Sequence, residues 1–152
     1  MAICCPLTSI DDYERYENYT EEIRTDGVEH KCCECSSVIP PGEKFEICSG
    51  DFGGEHMVHE TCMVCTEIGD HFACGDGRYI GQLWEDLEMN FFPDMRMGGP
   101  CMKGLSPAAK SALVEARLEW VLSGVETIRV ALPPWWRWWY GDDATDDGEG
   151  AY

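Results

Sequence analysis

The sequence predicts an α+β fold, a small metal-stapled module of short strands extended by a C-terminal helix and strand. Three observations carry this. Two C-x2-C pairs, Cys32 with Cys35 and Cys62 with Cys65, stand 26 residues apart. Short turn-bounded apolar stretches lie between them, and two downstream segments place apolar residues at helical spacing. At 152 residues the chain suffices for one domain with a real core, or for a small stapled module with helices, but not for two full-sized domains.

The elements follow in order. Residues 1–29 form an acidic N-terminal segment in which Tyr13, Tyr16 and Tyr19 alternate with acids, and "YTEEIRT" predicts a short strand leading into the cysteines. Residues 30–95 form the metal-binding module and its following helix. Between the cysteine pairs, "SVIPPGEKFEICSG" reads as a turn and then a strand, and "EHMVHE" as the returning strand. In "GRYIGQLWEDLEMNFF", Ile80, Leu83, Trp84, Leu87 and Phe91 recur at helical spacing. "FPDMRMGGPCMKG" is rich in Gly, Pro and Met and reads as a loop.

Residues 96–140 hold the C-terminal helix, strand and tryptophan-rich segment. Ser106 is placed to cap the helix, Pro107 suits its first turn, and Leu113, Ala116, Trp120 and Val121 form its apolar stripe. Gly124 is the expected C-terminal stop. "VETIRVAL", from Val125 to Leu132, reads as a strand ended by Pro133 and Pro134. Residues 141–152 are acidic and Gly-containing, the composition of a disordered tail.

A two-residue knuckle lets two thiolates point at one ion at about 2.3 Å, and a second knuckle completes a tetrahedron. Cys32, Cys35, Cys62 and Cys65 are therefore the expected ligands of one structural Zn2+. His59 is the alternate ligand, because His59, Cys62 and Cys65 also read as H-x2-C-x2-C. A LIM-like set of Cys32, Cys35, His59 and Cys62 would need a further ligand pair downstream, and position 68 is Ile, so the four-cysteine set is preferred. A second zinc drawn from Cys48, His56, His71 or Cys74 competes with the simpler expectation that Cys4, Cys5, Cys48, Cys74 and Cys101 are free cysteines and the histidines ordinary surface residues.

Knuckle, hairpin and a second pair at a helix start is the order of a treble-clef zinc finger. "CxxC", "IPPGEKFE" and "HxxCxxC" in succession also resemble a group of small zinc-finger-like proteins of bacteriophages and prophages, over about residues 30–90, with "GQLWEDLE" matching the helix after the finger. The resemblance implies a zinc-held fold and a phage accessory context, without an activity.

The formal charge of −18, from 29 acidic against 11 basic residues, comes with no cluster of Lys and Arg. Direct binding to duplex DNA and docking on anionic lipid are both disfavoured, because each draws on clustered cations. No uncharged apolar run approaches the roughly 20 residues of a membrane span. The start, "MAICCPLTSIDDYERYE", has neither a basic n-region nor an apolar h-region, so reduced thiols in the cytoplasm are expected, and the phage resemblance implies that this is the cytoplasm of a bacterial host.

A treble clef can also carry an HNH nuclease site, for which Asp51, His56 and His59 are the candidates, although the Asn and paired His of that site are lacking. A closed four-thiolate centre stabilises rather than catalyses, so the expected function is non-enzymatic binding of a protein partner. In the sharper form, a phage-encoded modulator or inhibitor offers its acidic surface to host nucleic-acid-processing or defence machinery. Trp135, Trp136, Trp138 and Trp139 are the candidate partner-binding residues, because four bulky rings within five positions cannot all face one side of a strand.

Overall fold

The computed structural model describes residues 6–7, 15–73, 79–94 and 100–131, with residues 125–131 described by backbone alone. The chain divides into two units, Met1–Leu118 and Glu119–Tyr152.

In the first unit, β1 (Glu17–Thr25), β4 (Lys44–Phe52) and β5 (Glu55–Cys62) form an antiparallel sheet in the order β1-β4-β5. A second pair, β2 (His30–Lys31) and β3 (Val38–Ile39), brackets the first knuckle. Between β3 and β4, Pro41 and Gly42 take the central positions of a turn closed by the Glu43 N–H on the Pro40 carbonyl at 3.2 Å. Proline presets the first of these positions, and Gly42 supplies the φ of +85° at the second. The β4–β5 hairpin turns on Gly53 and Gly54, both at positive φ, which matches the twist of the flanking strands. All nine residues of β1 are exposed.

Three helices follow: α1 (Met63–Phe72), α2 (Leu83–Asn90) and α3 (Pro107–Ala131), with short 3-10 turns at Phe92–Asp94 and Pro100–Met102. The helix α1 buries Cys65, Ile68 and Phe72 along one face. Leu83 and Leu87 of α2, Phe92, and Ala109 and Leu113 of α3 complete a core whose members are at most 1 % exposed. The Phe72 and Phe91 rings lie 4.7 Å apart, a separation at which tilted aromatic pairs attract. The described part of the second unit, residues 119–131, is the C-terminal half of α3.

Much of the expected order is present, with three corrections. The strand expected from Val125 to Leu132 is helix as far as Ala131, and Gly124 lies inside α3 rather than at its end. One interior glycine costs a helix only about 1 kcal/mol, and while Ile128 and Val130 fit an alternating pattern, Val125 and Ile128 fit a helical one. Val121, expected in the buried stripe, is exposed, as are Leu118 and Leu122. The helix expected from about Ile80 begins at Leu83, after Gly81 at φ +86°. The segment 132–152, with Trp135, Trp136, Trp138 and Trp139, lies outside the described residues.

Ser106 caps α3 as expected, its hydroxyl oxygen accepting the Ala109 N–H at 3.2 Å. That hydroxyl donates in turn to Glu67 at 2.7 Å, and together with the Ser106 N–H it holds the Glu67 carboxyl below its usual range. Replacing Ser106 by Ala removes both bonds of the hydroxyl. Urea unfolding of S106A should show a loss of about 1 kcal/mol, and an unchanged midpoint would refute the cap.

Candidate metal centre

Each knuckle owes its shape to backbone hydrogen bonds. The Cys32 N–H donates to the Ser37 carbonyl at 2.9 Å and the Ser36 N–H to the Cys32 carbonyl at 3.0 Å. Ser36 completes the reversal at φ +61°. The Cys33 N–H donates to the Glu60 carbonyl at 2.8 Å, which ties this knuckle to β5. In the second knuckle Cys62 is the N-cap of α1, its sulfur accepting from the Cys65 N–H at 3.5 Å. A thiolate there meets the positive end of the helix dipole.

The sulfurs of Cys32, Cys35, Cys62 and Cys65 all lie within 4.8 Å of one another, with Cys35 and Cys62 at 3.9 Å. Ligands held at about 2.3 Å around one ion stand roughly 3.8 Å apart along a tetrahedral edge, so the spacing fits a soft divalent cation. Cys32 and Cys65 are each 1 % exposed, while Cys35 and Cys62 are partly exposed.

Thiol donors from Cys62 and Cys65, then the backbone amides of Cys35 and Cys62, hold Cys32 well below the ordinary thiol range. Cys62 and Cys65 are pushed up, chiefly by their hydrogen bonds to that same sulfur. A cation bound here would draw the protons from the four thiols.

The other candidate ligands stand apart from this cluster. His59 Nε2 lies 3.2 Å from the Tyr16 hydroxyl, on the strand position paired with Cys48. Cys33 sits 3.4 Å from the Thr61 hydroxyl and is not among the four clustered sulfurs. His56 bonds Asp51 at 2.8 Å near the exposed β4–β5 turn, and His71 donates to the Cys101 carbonyl at 2.7 Å. The described members of the suggested second zinc set, Cys48, His56 and His71, therefore do not converge, and Cys74 lies outside the described residues. Asp51 and His56 meet, but His59 does not join them. Cys101, expected as a free thiol, is disulfide-bonded, with its partner outside the described residues. Sequence spacing does not reveal such a bond, because it depends on tertiary proximity.

Two further clusters carried no sequence motif. His30 is held between carboxylates, Nδ1 to Glu60 at 2.8 Å and Nε2 to Asp26 at 2.7 Å, with its ring 4.3 Å from that of Phe45. Hydrogen bonding to Asp26, then to Glu60, raises its pKa and favours the doubly protonated ring. On the face shared by β1 and β4, Glu21, Glu46 and Cys48 bring their ligand atoms within 4.8 Å. The Tyr19 hydroxyl lies 3.3 Å from the Cys48 sulfur, and Cys48 donates to Glu46 at 3.3 Å. With Tyr16, His59 and Ile80, Tyr19 and Cys48 line a shallow surface depression without the room a small-molecule pocket needs.

No family model matches the chain, and neither does any curated protein or solved structure.

Burial pushes the Cys48 thiol up to about 12, with the Glu46 and Glu21 charges adding to the rise and the Tyr19 hydroxyl offsetting part of it. Because the folded value exceeds the ordinary 9.0, its stabilising effect is complete below pH 9.0 and lost as pH climbs toward 12. At pH 8 iodoacetamide should leave Cys48 unmodified in the native protein while labelling it after denaturation. Rapid labelling of native Cys48, read by peptide mass mapping, would contradict its burial as a neutral thiol.

Proposed function

We propose that the chain is a zinc-stapled, treble-clef-like binding module that acts by occupying a protein partner and has no catalytic step of its own. The observation that carries the reading is the convergence of four thiols from two knuckles into one cluster. Four thiolates fill the coordination of zinc and leave no position for water or substrate, so such an ion stabilises the fold. The function then belongs to the surface.

That surface is acidic with apolar residues set into it. On β1 the exposed Glu17, Glu21 and Glu22 accompany the exposed Tyr19 and Ile23. Glu85, Glu88 and the 77 % exposed Met89 form a similar combination on α2. A surface of this kind suits a basic protein partner, where charge speeds encounter and apolar contacts retain it. In the sharper reading the partner is a nucleic-acid-processing or defence protein of a bacterial host, whose basic channel the acidic surface fills. The phage setting rests on the sequence resemblance over about residues 30–90. Trp135, Trp136, Trp138 and Trp139, outside the described residues, remain candidate contact residues by sequence. No helix among the described residues is long and apolar enough to cross a membrane.

Elemental analysis of the native protein should find one zinc per chain. Binding energy in such modules is on the order of 10 kcal/mol, so C62S should lose the metal and the order of the two knuckles and the strands between them, as read by circular dichroism and proteolysis. Native protein without zinc, with Cys32, Cys35, Cys62 and Cys65 freely alkylated, would refute the staple.

The partner reading is tested by affinity capture from bacterial lysate at low salt. The captured protein should elute with added salt and be displaced by duplex DNA, whereas the chain alone should not retard DNA or RNA in a gel, with or without divalent metal. A salt-sensitive submicromolar complex of the chain itself with DNA would sink the reading.

A further inference from the structure

Two carboxylates stand beside the candidate metal centre and reach away from it. Glu34 lies inside the first knuckle, between Cys33 and Cys35. Its Oε1 accepts the Gly81 N–H at 2.8 Å and its Oε2 the Leu83 N–H at 3.0 Å. Glu67 lies two residues beyond Cys65. Its Oε1 accepts the Ser106 N–H and its Oε2 the Ser106 hydroxyl, each at 2.7 Å.

Both contacts fall at the start of a helix remote in sequence. Gln82, the N-cap of α2, makes no side-chain capping bond, so Glu34 supplies what a capping side chain would supply. At α3, Ser106 caps its own helix and Glu67 binds that serine, the part a capping box gives to a glutamate of the same helix. In both cases a negative charge meets the positive end of a helix dipole.

We propose that metal occupancy of the four-cysteine centre sets the docking of α2, and more weakly of α3, through Glu34 and Glu67. The inference rests on the metal reading above. Glu34 grips α2 only while the knuckle fixes its Cα, and the strands bracketing that knuckle are two residues each. Backbone hydrogen bonds shape this knuckle, and coordination of Cys32 and Cys35 on either side of Glu34 would add the constraint that keeps its carboxylate turned toward α2. Glu67 is less dependent on the ion, because it sits within the ten-residue α1. Coupling of this kind is reciprocal, so losing the grip on α2 weakens the metal as well.

Hydrogen exchange on the full chain tests this, comparing zinc-loaded wild type with zinc-loaded E34A, zinc-loaded E67A and chelator-stripped wild type. In zinc-loaded E34A the Asp86 and Leu87 amides of α2 should exchange about fivefold faster than in wild type, the effect of losing one cap, while protection in β4 and β5 stays. E67A should do the same to Lys110 of α3. Stripping zinc from wild type should reproduce the loss in α2 and produce a smaller one in α3. In competition with a chromophoric chelator, E34A should hold zinc up to about fivefold more weakly, with E34Q, which keeps one acceptor oxygen, in between.

Unchanged α2 exchange in zinc-loaded E34A, or E34A zinc affinity equal to wild type, overturns the coupling. Stripped wild type that keeps its α2 protection overturns it too. If stripping unfolds the whole chain, the loaded variants alone decide. Absence of zinc from native wild type overturns the metal reading instead.

Discussion

The convergence of four thiols from two knuckles is the constraint on which the first unit depends. Its secondary structure is too slight to impose that arrangement unaided. The strands β2 and β3 are two residues each and β1 is wholly exposed. A bond through one ion at Cys32, Cys35, Cys62 and Cys65 would close the intervening loop, remove its conformational freedom and place the N-terminus of α1 against the knuckle. The buried faces of α1, α2 and α3 then have a frame against which Ile68, Phe72, Leu87 and Leu113 pack.

Glutamates extend that frame where apolar contact does not. Glu34 belongs to a knuckle and Glu67 to the first helix after one, and each satisfies N–H groups that a helix start leaves without an intrahelical partner. Acidic residues in a strongly negative chain are usually written off as solubilising charge. Here two of them hold structure, because a helix N-terminus is one of the few places where such a chain offers its carboxylates a positive partner.

The same excess of acid shapes the remaining chemistry. The carboxylates of Asp26 and Glu60 raise the His30 pKa, and those of Glu21 and Glu46 help to keep Cys48 a neutral thiol. At Cys48 burial and the neighbouring carboxylates push the same way, whereas at His30 the carboxylates outweigh a desolvation that opposes them, so the negative charge acts on titrating groups within the fold as well as on β1 and α2.

The cysteine spacing alone determined which four thiols could share an ion, because a two-residue knuckle is a local geometry written in four consecutive residues. Turn chemistry was legible for the same reason at Pro41–Gly42, and so was the Ser106 cap. What lay beyond local reach was decided by tertiary structure. The extent of α3 was misread at Gly124 because a β-branched stretch carries helical and alternating periods at once, and continuing the helix costs only one unfavourable glycine. The sequence left His59 as the alternate ligand, and the pairing of β4 with β5 beside Tyr16 gave it another partner. The roles of Glu34, Glu67 and Cys101 were invisible for one physical reason: each depends on a contact across 30 or more residues, or outside the described ones, and no spacing rule reaches that far.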